Sequence, residues 1–98
     1  MNSYMVDIDL PERLNNEFIK LIPMQRAFVK RKMNEGVILN YSLSSDRRKL
    51  WVVIQADTLF DVKNIMGSFP IFNHIHFKIN TLLFHDNIMT LIPHMWLN

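Results

Sequence analysis

The sequence predicts an α+β fold in which strands and helices run β-α-β-β-α-β. Three observations carry this reading. Four segments alternate apolar and polar residues with a period of two, as half-buried strands do. Two segments repeat apolar residues at helical spacing. The turn signals join the second and third strands directly, as a hairpin, while a helix separates the strands of each outer pair.

Residues 4–10 alternate, with Tyr4, Val6, Ile8 and Leu10 set against Met5, Asp7 and Asp9. Leu10-Pro11 ends this strand. Asn15 or Asn16 can cap the first helix, with Glu17 well placed in its first turn. Phe18, Leu21, Ile22, Phe28, Val29 and Met33 then recur at helical spacing. Pro23 removes one backbone hydrogen bond, which predicts a kink or a short preceding turn. Gly36 suits the left-handed stop that follows a helix.

The second strand is expected over residues 37–44. Val37, Leu39, Tyr41 and Leu43 share one face, and Ile38, Asn40, Ser42 and Ser44 the other. Ser45-Asp46-Arg47-Arg48 reads as a polar turn. Leu50, Val52 and Ile54 alternate with Trp51, Val53 and Gln55 in the third strand. Thr58-Leu59-Phe60-Asp61 is a capping-box variant with Asp at its last position. Leu59, Val62, Ile65, Met66 and Phe69 form a short helical stripe, which Gly67 and Pro70 end. The stretch from Phe69 to Asn80 then becomes the fourth strand. Ile75, Phe77 and Ile79 take its core face, and His74, His76, Lys78 and Asn80 take the other.

One simple topology satisfies this order: a four-stranded antiparallel sheet of ferredoxin-like type with both helices on one face. Residues 1–86 make the domain. Residues 87–98 make an apolar C-terminal arm that contains no charged side chain and seven large apolar ones. The arm is expected to dock on a partner subunit; packing on its own helices is the alternative. The uncovered sheet face would show Met5, Ile38, Trp51 and Val53 among Asp7, Asp9, Asn40, Ser42, Gln55, His74, His76 and Lys78. Four strands make a face of roughly 400 Å². A face that size with a Trp at its middle calls for cover, and a homodimer with the two sheets face to face is expected.

Composition limits the function classes. The chain has 98 residues, 49% hydrophobic, which suits one domain with a modest core. Its net charge of +2 gives no electrostatic reason to expect a nucleic-acid or membrane partner. No apolar run approaches the ~18 residues of a membrane span. There is no cysteine, hence no disulfide framework or thiolate chemistry. Met1-Asn2-Ser3-Tyr4 lacks the features of a signal peptide, so a cytoplasmic location is expected. RNA-recognition domains share this element order, but they stack bases on aromatic residues beside glycines. Here the third strand offers one ring, Trp51, and no glycine.

Two places could hold chemistry. On the uncovered face, His74 and His76 are the natural bases for a cofactor-free proton shift. Asp7 and Asp9 could orient them, and Asp7 is itself a catalytic candidate. Asn40, Trp51, Gln55 and Lys78 on that face are ligand-binding candidates. Two His at i and i+2 can share an ion, but a structural site needs four ligands, so no metal is expected. The second place lies between helix and sheet. Arg26 belongs with Lys78 to the first place, where either could hold a carboxylate, whereas Gln25 interrupts the apolar stripe of the first helix, and Tyr41 and Tyr4 point from strands into the core. Such groups need partners when buried. They either bond each other or line a small cavity suited to an apolar ligand with one polar handle. The residues leave the choice between the two places open.

Several short motifs, in order and spacing, resemble the muconolactone isomerase family over residues 4–86. They are Leu10-Pro11, Glu35-Gly36, Phe60-Asp61-Val62, Phe69-Pro70-Ile71-Phe72 and finally His85. The resemblance implies a ferredoxin-like dimeric α/β barrel, sometimes in larger rings. It also implies an enzyme that shifts a double bond in a small unsaturated lactone without a cofactor. The sequence departs from that pattern after Asp86 and in three places before it. Gln25-Arg26 stands where the family has an acidic-basic pair. Asn40-Tyr41-Ser42-Leu43 stands where it has a Trp- and Arg/His-rich segment, and His74-Ile75-His76 where it is acidic. The expected function is therefore an isomerase-like protein, or a binder of a small lactone or aromatic-derived acid. Alternatives are a non-catalytic homo-oligomeric binding protein, or a cofactor-free monooxygenase of the dimeric-barrel group.

Overall fold

The computed structural model describes residues 1–88. Of the arm expected over 87–98, all but Asn87 and Ile88 lies outside the described residues. The elements are β1 (Asn2–Asp9), α1 (Asn16–Asn34), β2 (Ile38–Leu43), β3 (Lys49–Ala56), α2 (Leu59–Gly67), a 3-10 turn (Phe72–His74) and β4 (His76–Leu82). The strands form one antiparallel sheet in the order β2-β3-β1-β4, the ferredoxin-like arrangement.

The helices start and stop where local chemistry dictates. Asn15 caps α1, its side chain accepting from the Phe18 N–H at 2.8 Å. Thr58 caps α2 by accepting from the Asp61 N–H at 3.2 Å. α1 runs through Pro23 as one element. Pro23 and Ile19 both lie on its exposed side, where water can satisfy the carbonyl that proline leaves free. At its end Gly36 adopts φ +76°, and the Gly36 and Val37 N–H groups bond back to the Met33 and Lys32 carbonyls at 3.0 and 2.9 Å.

Both helices pack on one side of the sheet. Phe18, Phe28 and Val29 from α1, and Val62 and Met66 from α2, join Tyr4, Val6, Ile8, Leu50, Val52 and Ile54 in a single core. Burying each large apolar side chain of this kind contributes roughly 1.5–3 kcal/mol. Phe69, Ile71 and Ile75 extend that core beyond α2.

Two expectations are corrected. Ile38 does not lie on the uncovered face. A bulge between Ile38 and Asn40 sets Ile38 opposite Ile54 in the core and Asn40 opposite Val53 on the other side. His74 is not part of the fourth strand. The Phe72 and His74 N–H groups are both taken by turn bonds, to the Phe69 and Ile71 carbonyls at 2.9 Å each, and β4 begins only at His76. The His74 ring instead meets Phe18 edge-on at 5.7 Å, with its Nε2 3.7 Å from Glu17. His74 and His76 therefore do not share a sheet face.

The second sheet face is partly occupied by the chain itself. β4 and β2 are opposite edges of the sheet, yet His85 Nε2 lies 2.7 Å from Asn40 Oδ1. The segment after Leu82 must cross the face transversely to make that contact. Val53, which pairs with Asn40 and Met5 on this face, is only 2% exposed.

Candidate functional site

The sequence candidates separate into two groups on opposite sides of the sheet. On the helix-free face, Asp7 lies across from Lys78, and Asp9 from His76. Lys49 reaches both acids, 3.2 Å from Asp7 and 2.5 Å from Asp9. Its ammonium is held above the usual lysine range by hydrogen bonds to Asp9 and then Asp7. Asp7 is thus held in an ion pair with Lys49. Trp51 stands opposite Asp7 and Ser42, and Gln55 opposite Ser3. This side is a mixed polar and apolar surface. Among the described residues, no group of three or more His, Cys, Asp or Glu side chains could hold a metal ion.

Gln25, Arg26 and Tyr41 meet on the other side, in a cleft of about 600 Å³ between α1 and the β2–β3 edge. That is the size of an ordinary small-molecule site. Phe18 and Ile22 from α1, Leu43 and Leu50 from the hairpin, and Leu10 and Ile71 supply apolar walls. Gln25 lies within this wall because it occupies a core position of the helical stripe, and it is 3% exposed. Its Oε1 accepts from the Ile71 N–H at 3.4 Å, and its Nε2 donates to the Tyr41 hydroxyl at 3.5 Å. The backbone donor fixes which end of the amide faces which partner. Both bonds are long, so the pair is aimed but loosely held.

The Tyr41 hydroxyl accepts from Gln25, which leaves its own proton free to meet a ligand acceptor in the cleft. Burial pushes its pKa upward, and the Gln25 bond and the Arg26 charge only partly offset this. Tyr41 is therefore a neutral donor near pH 7. The alternatives left open by the sequence are thus both realised: the buried polar groups bond each other and also face a cleft. Tyr4 is 4% exposed within the core.

The structure adds Arg47, which the sequence offered only as part of a polar turn. The three successive cations go three ways. Arg47 lines the cleft, Arg48 pairs with Glu12 at 2.8 Å, and Lys49 joins Asp7 and Asp9 on the far side of the sheet. A wider groove of about 710 Å³ runs between α1 and α2, where Arg31 and Lys32 lie 5.5 and 5.7 Å from the Phe28 ring. It has no buried polar group comparable to Gln25.

No protein-family model matches the chain, and no curated protein is significantly similar to it. No helix among the described residues is long and apolar enough to cross a membrane.

Proposed function

We propose that the protein binds a small, largely apolar molecule with one polar end in the helix–sheet cleft. The observation that carries this reading is the Gln25–Tyr41 pair, a buried amide and a neutral phenol aimed into an apolar-walled cleft of about 600 Å³. Small lactones and aromatic-derived acids have the matching chemistry, and the muconolactone isomerase resemblance of residues 4–86 points to the same ligand class. Binding is better supported than isomerisation. A proton shift needs a base near neutral pKa, and no carboxylate or imidazole lines the cleft among the described residues.

A thermal-shift series with unsaturated lactones and aryl carboxylic acids tests the reading. At least one compound should raise the melting temperature, and Tyr41→Phe should reduce that rise while leaving the ligand-free protein folded. If no compound of either class binds at millimolar concentration, the reading fails.

A second copy of the chain on the remaining helix-free face is the assembly we propose. Trp51 is 38% exposed at the middle of that face.

A further inference from the structure

We infer that the cleft selects an anionic headgroup and that Arg47 is the residue that makes the selection. This inference rests on the cleft-binding reading and narrows its ligand class. It begins with the backbone of the β2–β3 turn. Arg47 has φ +62°, and it is the one non-glycine residue with positive φ among those described. The Arg47 N–H donates to the Ser44 carbonyl at 2.9 Å, closing a turn whose last residue is left-handed. Glycine or asparagine is the usual occupant of such a position.

The surroundings hold the turn in place from both sides. Ser44 Oγ donates to Asp46 Oδ1 at 2.6 Å, and the Arg48 N–H reaches the same oxygen at 3.0 Å. The Lys49 N–H donates to Ser44 Oγ at 2.9 Å. Across the cleft end, the Leu10 N–H donates to the Arg48 carbonyl at 3.0 Å, and Arg48 pairs with Glu12. An unfavourable conformation maintained by so many contacts points to a use for the side chain that it carries.

That use is visible in where the charges go. Arg48 and Lys49 are both answered by carboxylates, whereas Arg47 and Arg26 have no acidic partner among the described residues. Both line the same apolar cleft, and no acid lines it with them. Two exposed arginines on the lining of an apolar-walled cleft, neither with an acidic partner among the described residues, complement a small apolar molecule ending in a carboxylate, the group an arginine fork matches best. A neutral lactone or amide of the same shape would leave both cations without a counter-charge.

The test compares phenylacetate and 4-phenylbutyrate with their primary amides, by calorimetric titration and by mapping amide NMR shifts. The acids should bind about tenfold more tightly than the amides, as charged hydrogen bonds warrant. Arg47→Gly should remove most of that preference by weakening the acids far more than the amides, and should not lower the melting temperature, because glycine accepts the left-handed turn. Arg47→Lys should keep part of the preference. Equal binding of acids and amides by the natural protein overturns charge selection and leaves the cleft reading standing. Binding of neither overturns both. Equal losses for acid and amide in Arg47→Gly would also overturn the inference, since residue 47 would then act through the shape of the turn.

Discussion

Gln25 and Tyr41 are the residues at which sequence and structure meet most closely. A polar side chain inside an apolar stripe must find a partner, and that necessity is readable from spacing alone. The structure supplies the partners, Ile71 N–H and the Tyr41 hydroxyl. His74 was misplaced for an equally physical reason. Alternation carried backwards from β4 puts His74 and His76 on one face, but two turn bonds rotate the chain before the strand begins. Arg47 was illegible as a site residue because its direction depends on Ser44 and Asp46 closing the turn, not on any period. Tyr41 yields a pH prediction at this scale. Its pKa is raised from 10.0, with burial the largest cause. The folded state thus favours the neutral phenol. That stabilisation is fully present below the unfolded value of about 10 and is lost as pH rises from there through the folded value, because the unfolded chain ionises first. In Tyr4→Phe protein, phenolate absorbance should therefore reach half-amplitude above pH 10. Tyr41→Phe should also lose less stability between pH 9 and pH 11 than the natural protein. Half-ionisation of Tyr41 at or below pH 10 contradicts the burial account.

Element boundaries followed local chemistry closely, and the one error of register has an identifiable source. Val37, Ile38 and Leu39 are three apolar residues in succession, so either of two alternations puts apolar side chains in the core. Only pairing with β3 decides, and it places Ile38 opposite Ile54 by means of a bulge. Helix ends were easier because caps are short-range signals: Asn15, Thr58 and Gly36 each act where the sequence puts them. The two glycines make a paired test of this reading. Gly36 has φ +76°, a conformation unfavourable for a side chain, although a Cβ there would meet nothing within 4 Å. Gly67 has equally open space and closes α2 without a positive φ. Gly36→Ala should cost about 1 kcal/mol in urea unfolding, whereas Gly67→Ala should be neutral or stabilising by up to about 1 kcal/mol. Equal effects at the two sites would show that backbone conformation is not what distinguishes them.

At the scale of the whole molecule, the question is what covers the helix-free face. A sheet face of roughly 400 Å² per copy is small beside the 1,200–2,000 Å² in total that stable interfaces usually bury. Part of it is also crossed by the chain that brings His85 to Asn40. The same crossing turns apolar side chains outward: Leu83 is 97% exposed and Phe84 71%. Flat sheet-on-sheet packing is therefore too small by itself, and a second copy would need to use Trp51 together with the Leu83–Phe84 segment. Trp51 lies between charged neighbours, with Asp7 opposite and the Lys49 ion pairs nearby, which suits a partly wet interface. The expected outcome is a particle of about twice 11.7 kDa in light scattering at micromolar concentration. Trp51→Ser and Phe84→Ser should each weaken the dimer at least about tenfold, as loss of an aromatic anchor does. Phe84→Ser should not lower the circular-dichroism melting temperature of the monomer, because Phe84 is exposed in the single chain; Trp51→Ser should lower it somewhat, because Trp51 is only 38% exposed. A monomer throughout that concentration range, or a dimer indifferent to both substitutions, would remove this face as the contact between copies and leave Trp51 without a partner.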